Sequence, residues 1–122
     1  MSDFHTNELD IPLASKFFLL YKTTYQYLKR FPKKARYSLG EKLENSILEL
    51  MKETFYLNQL PNILKEKELL KLNAGNELLK RLFRLAHEIA VLDEHQYLTI
   101  QSHLHETGKM IGGWIKFIKT QR

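Results

Sequence analysis

Apolar residues recur at steps of three and four along most of the chain, the spacing that places them on one face of an α-helix. This pattern predicts helices over about residues 12–31, 38–60, 62–92 and 93–118. Pro12, Pro32 and Pro61 each lie just before or inside the start of a predicted helix, where proline is tolerated. Helices of this length joined by connections of a few residues predict an all-α fold, an up-down-up-down four-helix bundle.

Short-range patterns predict two of the helix starts. Ser38 followed by Glu41, and Asp93 followed by Gln96, both have the spacing of a capping box, in which two side chains satisfy free backbone amides reciprocally. Gly75 falls in phase with the apolar stripe of the third predicted helix, so we expect that helix to continue through it and a neighbouring helix to approach closely there.

The first and third predicted helices carry more apolar surface than one bundle core needs. Phe18, Tyr21 and Tyr25 flank the stripe of the first helix, and Leu78, Phe83 and Leu85 lie beside that of the third. Rings of this size ordinarily need a partner surface, which favours a homo-oligomer. A wide bundle core with partly exposed rings is the alternative interpretation.

The fourth predicted helix contains three glycines, each of which costs about 1 kcal/mol relative to alanine inside a helix. Gly108 and Gly112 are four residues apart and form a strip that another backbone could approach. Trp114 follows on the predicted core face as a large anchor. The partner of this strip is either another helix of the same chain or a second copy.

Net charge is +5, and the basic residues are unevenly distributed. Residues 11–40 hold seven bases and no acid, and residues 107–122 hold four bases and no acid, which favours a polyanionic partner such as nucleic acid. The alternative is that these charges only maintain solubility and end helices. The candidate nucleic-acid-binding residues are Lys29, Arg30, Lys33, Lys34, Arg36, Lys80, Arg84, Lys116 and Lys119. On the third helix, Lys80 and Arg84 could contact phosphate. Alternatively, the charged residues there form only the surface ion pairs Glu77–Arg81 and Arg84–Glu88.

The chain lacks the residues or spacings that several other kinds of functional site require. The chain has no cysteine, and its five histidines do not follow the spacing of di-iron or zincin sites. It has neither a nucleophile elbow nor a glycine-rich phosphate loop. We therefore expect no enzyme activity, no metal and no cofactor.

The 122 residues have the size of one domain, and residues 1–11 are expected to form a flexible acidic segment. The longest apolar run, Phe17 to Tyr21, is too short to cross a membrane, and the polar N-terminus is unlike a signal peptide. These features predict a cytoplasmic protein with no membrane contact.

Three segments resemble a known family. The segment 105–116, with its Gly-x-x-x-Gly-Gly-Trp pattern, is similar to the closing signature of the accessory variability determinant (Avd-like) family, and residues 31–40 and 79–86 are also similar. These are small four-helix-bundle proteins of diversity-generating retroelements. The resemblance implies a five-membered ring of bundles that binds the element's reverse transcriptase and nucleic acid, RNA or DNA, during mutagenic retrohoming.

Two alternatives remain open. One is a four-helix protein of a ribosomal-RNA intervening sequence, which shares the fold, and the other is a structural adaptor bundle with no nucleic-acid role. Neighbouring genes distinguish the first alternative from a retroelement protein. Salt-dependent binding to nucleic acid distinguishes both from the adaptor.

Overall fold

The structure, a computed structural model, describes residues 11–121 and forms four long helices from them. These are α1 (Pro12–Leu28), α2 (Glu41–Gln59), α3 (Lys65–Glu88) and α4 (Glu94–Thr120). Helix α1 packs against α2 and α4, and α3 packs against the same two helices. No strand occurs between residues 11 and 121. The predicted all-α four-helix architecture is confirmed, whereas the expected flexible segment 1–11 lies, apart from Ile11, outside the described residues.

The predicted stripes form the core. Leu20 of α1, Ile47 of α2, Leu79 of α3 and Ile111 of α4 are all completely buried. One expectation for the third helix was wrong, because Phe83 lies in the core rather than beside it. Ile89, just after the last residue of α3, is exposed.

The connection between α1 and α2 is more helical than the sequence predicts. Helix α1 ends at Leu28, not near residue 31, and after Pro32 the chain forms one helical turn (Lys33–Ala35) and then a π-helical turn (Arg36–Gly40) that runs directly into α2. The predicted Ser38–Glu41 capping box is therefore absent. Ser38 lies inside this helical stretch, and its hydroxyl donates to the Lys34 carbonyl at 2.8 Å.

Gly40 explains how α1 and α2 can meet at this corner. A Cβ atom at position 40 would lie 3.1 Å from the Leu28 Cδ2 atom and 3.3 Å from the Ala35 carbonyl oxygen. Because Gly40 has no side chain, the start of α2 packs directly against the last residue of α1.

Helix α3 follows a short 3-10 turn (Asn62–Leu64) and ends at Glu88, four residues before the predicted boundary. It continues through Gly75, as predicted, and a Cβ atom there would lie 2.7 Å from the Leu50 Cδ2 atom of α2. The chain then reverses at Ala90, which has a positive φ of 66°, while the Val91 amide donates to the Ala86 carbonyl at 3.0 Å. The Val91–Ala86 bond is a 6→1 hydrogen bond, and the Ala90 amide donates a 5→2 bond to the His87 carbonyl at 3.0 Å. With the left-handed Ala90 they form a Schellman motif that ends the helix.

The predicted capping box at the start of α4 is confirmed. The Gln96 amide donates to the Asp93 carboxylate at 2.7 Å, and the Asp93 amide donates to the Gln96 side-chain oxygen at 3.1 Å. Both interactions span three residues, so the sequence alone contains what is needed to form them.

Helices α3 and α4 run antiparallel. The Asn76 amide donates to the Leu104 carbonyl and the Gln101 amide to the Lys80 carbonyl, so residue numbers rise in one helix as they fall in the other. With short connections throughout, the α1–α2 corner and the α3–α4 turn lie at one end of the bundle. The α2–α3 turn and the C-terminus of α4 lie at the opposite end.

Candidate nucleic-acid interface

Five of the predicted basic residues lie together at the corner between α1 and α2. This basic corner consists of Lys29, Arg30, Lys33, Lys34 and Arg36, all of which are exposed. They cluster because α1 ends at Leu28 and the next helical turn begins only five residues later. No acidic residue occurs between residues 11 and 40 to neutralise them from within this segment.

The five bases differ in what they contact. The Arg36 guanidinium donates to the Lys29 carbonyl at 3.1 Å, which satisfies a carbonyl at the C-terminal end of α1. The Lys29 ammonium lies 5.3 Å from the centre of the Tyr25 ring. Among residues 11–121, the side chains of Arg30, Lys33 and Lys34 make no ion pair or hydrogen bond. Arg36 therefore has a structural role at the end of α1. The other four basic side chains are exposed to solvent.

The remaining predicted bases lie elsewhere. Lys80 pairs with Glu77 at 3.1 Å and Arg84 with Glu88 at 3.0 Å. The hydrogen bond from Lys80 is the main reason that the pKa of Glu77 is lowered. The predicted surface pairs Glu77–Arg81 and Arg84–Glu88 are confirmed. Glu88 balances the charge of Arg84, whereas Glu77 is shared by Lys80 and Arg81 and balances only one of their two charges.

Lys116 and Lys119 are exposed near the C-terminal end of α4. Pro12 and Trp114 line one cavity, so they lie at the same height in the bundle. At about 1.5 Å per residue, Lys29 lies roughly 25 Å above that height and the two lysines lie below it. A single surface therefore does not join all nine candidate residues, because about 30 Å separates the basic corner from these two.

The predicted aromatic flank of α1 is present and faces α2. Phe18 and Tyr25 are 57% and 50% exposed, and the Tyr21 and Tyr25 rings stack with centres 6.5 Å apart. Tyr21 turns towards α2, where burial and the neighbouring Glu44 carboxylate raise its pKa. The Lys22 ammonium lies 5.5 Å from the centre of the Phe18 ring. The role of these three aromatic residues as an oligomer interface stays a prediction.

The glycine strip of α4 has two different halves. A Cβ atom at Gly108 would lie 3.4 Å from the Asn76 amide nitrogen of α3, an ordinary van der Waals contact, so α3 lies beside this position without requiring a glycine there. A Cβ atom at Gly112 or at Gly113 would have no neighbouring atom within 4 Å. Trp114 is half-buried against the core, with the Lys65 ammonium 5.9 Å from its ring centre. Within the described chain, only the Gly108 half of the strip packs on another helix.

The sequence did not predict two features. One is the fully buried hydrogen-bonded pair Asn76 and Thr107, because the apolar pattern does not mark the polar Asn76 as a core residue. The other is a cleft of about 270 Å³ at the basic corner, walled by Tyr25 and Tyr37. Tyr37 belongs to the π-helical turn, and no local pattern in the sequence distinguishes such a turn from a loop.

Two further features are absent from the described residues. Between residues 11 and 121, no group of three or more histidine, aspartate or glutamate side chains is arranged to hold a metal ion. In the same range, no helix is both long enough and apolar enough to span a membrane.

Together these features describe an all-helical bundle with a basic corner, in which Arg30, Lys33 and Lys34 have no carboxylate partner among residues 11–121. The chain matches the family model described as bAvd-like over residues 13–118, nearly the whole of its length, and it belongs to that family. This confirms the resemblance carried by the closing Gly-x-x-x-Gly-Gly-Trp segment. No curated protein and no solved structure matched the chain.

Proposed function

We propose that this protein is a non-catalytic accessory protein of a diversity-generating retroelement. It acts in the cytoplasm, binds the reverse transcriptase of the same element and binds RNA or DNA, and in this way supports mutagenic retrohoming. The observation that carries the proposal is membership of the bAvd-like family across residues 13–118.

The basic corner supplies a physical basis for the nucleic-acid contact. Arg30, Lys33 and Lys34 present three cations to solvent with no carboxylate partner among the described residues. Flexible lysines and an exposed arginine bind phosphates but read no base sequence, so recognition is by backbone contacts without strong sequence preference.

A homo-oligomer, which we propose to be a pentamer, strengthens this contact. Phe18 is exposed on the side of α1 that faces α2, and Leu48, one helical turn after Glu44 on α2, is 45% exposed. Covering these side chains with a second copy removes apolar surface from water. Repeating the basic corner around a ring then raises affinity for one polyanion through effective concentration.

The test of the nucleic-acid contact is a charge reversal. The triple variant Arg30→Glu, Lys33→Glu and Lys34→Glu leaves the structural Arg36 intact and should lose affinity for unrelated RNA and DNA sequences alike. In the wild type, the logarithm of affinity should fall with the logarithm of salt concentration by about 0.9 per phosphate neutralised on duplex DNA. The triple variant should have a shallower slope.

A matched control carries the same change in net charge. Lys52→Glu, Lys67→Glu and Lys109→Glu alter three exposed lysines on α2, α3 and α4, away from the corner. Equal losses in the two triple variants would show that only net charge matters and would reject the basic corner as the site. Co-purification with the reverse transcriptase encoded beside the gene tests the second partner, and absence of such a gene contradicts the retroelement assignment.

A further inference from the structure

The cleft at the basic corner combines three kinds of chemistry. It lies in the outer groove between the end of α1 and the start of α2 and has a volume of about 270 Å³. Its lining includes the rings of Tyr25 and Tyr37, the cations Lys29 and Arg36, and the carboxylates Glu41 and Glu44. A ligand for this cleft should use aromatic rings, cations and carboxylates together.

The two rings offer stacking surfaces. Tyr25 is 50% exposed and Tyr37 is 60% exposed. The Tyr25 ring already has the Lys29 ammonium 5.3 Å from its centre and Tyr21 stacked beside it, so a base there would share the ring with that cation. The Tyr37 ring contacts no other ring or cation among residues 11–121, so Tyr37 is the main stacking surface. Every nucleobase has a π-face, and proteins that bind single strands stack successive bases on aromatic side chains of this kind.

The carboxylates argue against phosphate as the occupant of the cleft itself. Glu41 and Glu44 would repel an anion, but they accept hydrogen bonds from the amino groups on the edge of a base. Those groups are available on the Watson–Crick edge only when the base is unpaired. The cations meanwhile keep donors for a flanking phosphate, since Arg36 uses one of its five N–H groups on the Lys29 carbonyl.

The corner is also held in a fixed shape. Gly40 packs against Leu28, and Arg36 ties the π-helical turn to the end of α1, so Tyr37 is carried on a structured element. A preformed site loses little conformational entropy when a ligand binds.

We propose that this cleft receives one unpaired nucleobase of a single-stranded nucleic acid. The base stacks on Tyr37 and Tyr25, its amino edge faces Glu41 and Glu44, and the adjoining phosphate contacts Lys29 and Arg36. The inference rests on the proposed nucleic-acid binding, and it adds a preference for single strands over duplex and, at the one position in the cleft, for a base that carries an amino group.

The experiment measures fluorescence anisotropy of a labelled 12-nucleotide single strand and of the corresponding duplex at low salt. Tyr37→Ala should lower single-strand affinity about fivefold or more, the effect of losing one stacked base, and leave duplex affinity within about twofold. Tyr37→Phe, which keeps the ring, should retain wild-type affinity. Tyr56→Ala, an exposed tyrosine of α2 outside the cleft, is the matched control and should change neither. Circular dichroism establishes that each variant is folded.

A second comparison tests the carboxylates. Cytosine has an exocyclic amino group and thymine has none, while both are pyrimidines of similar size. The wild type should bind an oligo-dC strand more tightly than an oligo-dT strand, and the double variant Glu41→Gln and Glu44→Gln should reduce that difference. Equal affinity of the wild type for the two strands would overturn the assignment of the base edge.

The outcomes separate this inference from the function on which it depends. If Tyr37→Ala affects single strand and duplex equally, or affects neither, the base site is wrong while the basic corner stands. If it instead changes the oligomeric mass without changing affinity, the cleft is a contact between copies and the base site is again wrong. If the wild type binds no nucleic acid at low salt, the proposed function fails, and this inference fails with it.

Discussion

The Thr107 hydroxyl of α4 donates a hydrogen bond to the Asn76 side-chain oxygen of α3 at 2.8 Å, and both residues are completely buried. The Asn76 amide in turn donates to the Leu104 carbonyl at 3.3 Å. Buried polar groups of this kind persist in a bundle core only when they are paired. Gly108, the next residue of α4, lies beside the same amide, 3.4 Å from where its Cβ atom would be.

Replacing Thr107 by valine should lower the free energy of unfolding, although the two side chains have nearly the same size. The substitution keeps the shape of the side chain but leaves the Asn76 oxygen without its donor inside the core, which typically costs about 1–3 kcal/mol. Urea denaturation should show this loss in the free energy of unfolding. Thr99→Val, at a partly exposed position of α4, is the control and should change it little. Equal stability of the two variants would mean that the buried pair contributes nothing.

Alanine substitutions at Gly75 and Gly112 should have different effects. Alanine gains about 1 kcal/mol of helix propensity over glycine at either position. At Gly112 nothing lies within 4 Å of the new Cβ atom, so a monomeric bundle should keep that gain. At Gly75 the Cβ atom would lie 2.7 Å from buried Leu50, and overpacking costs about 1–3 kcal/mol.

Thermal unfolding should therefore place Gly112→Ala above the wild type and Gly75→Ala at or below it. Light scattering of Gly112→Leu adds a test of assembly. If this variant loses oligomeric mass while its helical content is unchanged, the Gly112 half of the strip contacts a second copy. A 14.5 kDa monomer in the wild type at micromolar concentration would contradict the proposed oligomer.

Replacing alanine by glycine should have opposite effects at two positions. Ala90 has a φ of 66°, a conformation that costs a residue with a side chain roughly 1–2 kcal/mol. Glycine removes that cost but adds about 0.4–1 kcal/mol of entropy to the unfolded chain, so Ala90→Gly should stabilise the protein by up to about 1.6 kcal/mol. Ala74→Gly, at an exposed position inside α3, should destabilise it by about 1 kcal/mol. Finding the same sign for both in chemical denaturation would contradict the role assigned to Ala90.

What could be predicted from the sequence depends on the range of the interaction. The apolar residues of the core recur every helical turn, and the Asp93–Gln96 capping box spans three residues. Both depend only on residues that are close along the chain, so both could be predicted from the sequence. The Ser38–Glu41 pattern has the same spacing, yet Gly40 lets α1 pack against the start of α2 and the helix extends upstream of Ser38. Here a tertiary contact overrides a local signal.

The candidate site follows the same rule. Residues 29–36 are close along the chain, so their clustering was predictable, whereas the distance from Lys116 depends on how four helices pack. For Arg84, helical spacing permits both pairing with Glu88 and phosphate contact, so the sequence leaves both open, whereas the pairing of Lys80 with Glu77 was not predicted. The cleft between Tyr25 and Tyr37 could not be predicted, since a π-helical turn positions one of its walls.

His103 should make the stability of the bundle depend on pH. It is partly buried on the side of α4 that faces α1, and its pKa is lowered, first by burial and second by the nearby charge of Lys16. The folded state therefore binds a proton less readily than the unfolded chain, in which the pKa is about 6.5. Stability from this group is complete above that value and is lost as the pH falls through it towards the lower pKa of the folded state.

The measurement is the free energy of unfolding at a series of pH values between 7.5 and 5.5. The wild type should lose stability across this interval, and His103→Gln should lose less because it has no proton to take up. Lys16→Gln should reduce the dependence only in part, since burial is the larger cause. His95→Gln, at an exposed position near the start of α4, is the control and should keep the wild-type slope. Parallel pH curves for the wild type and His103→Gln would show that protonation of His103 does not oppose folding.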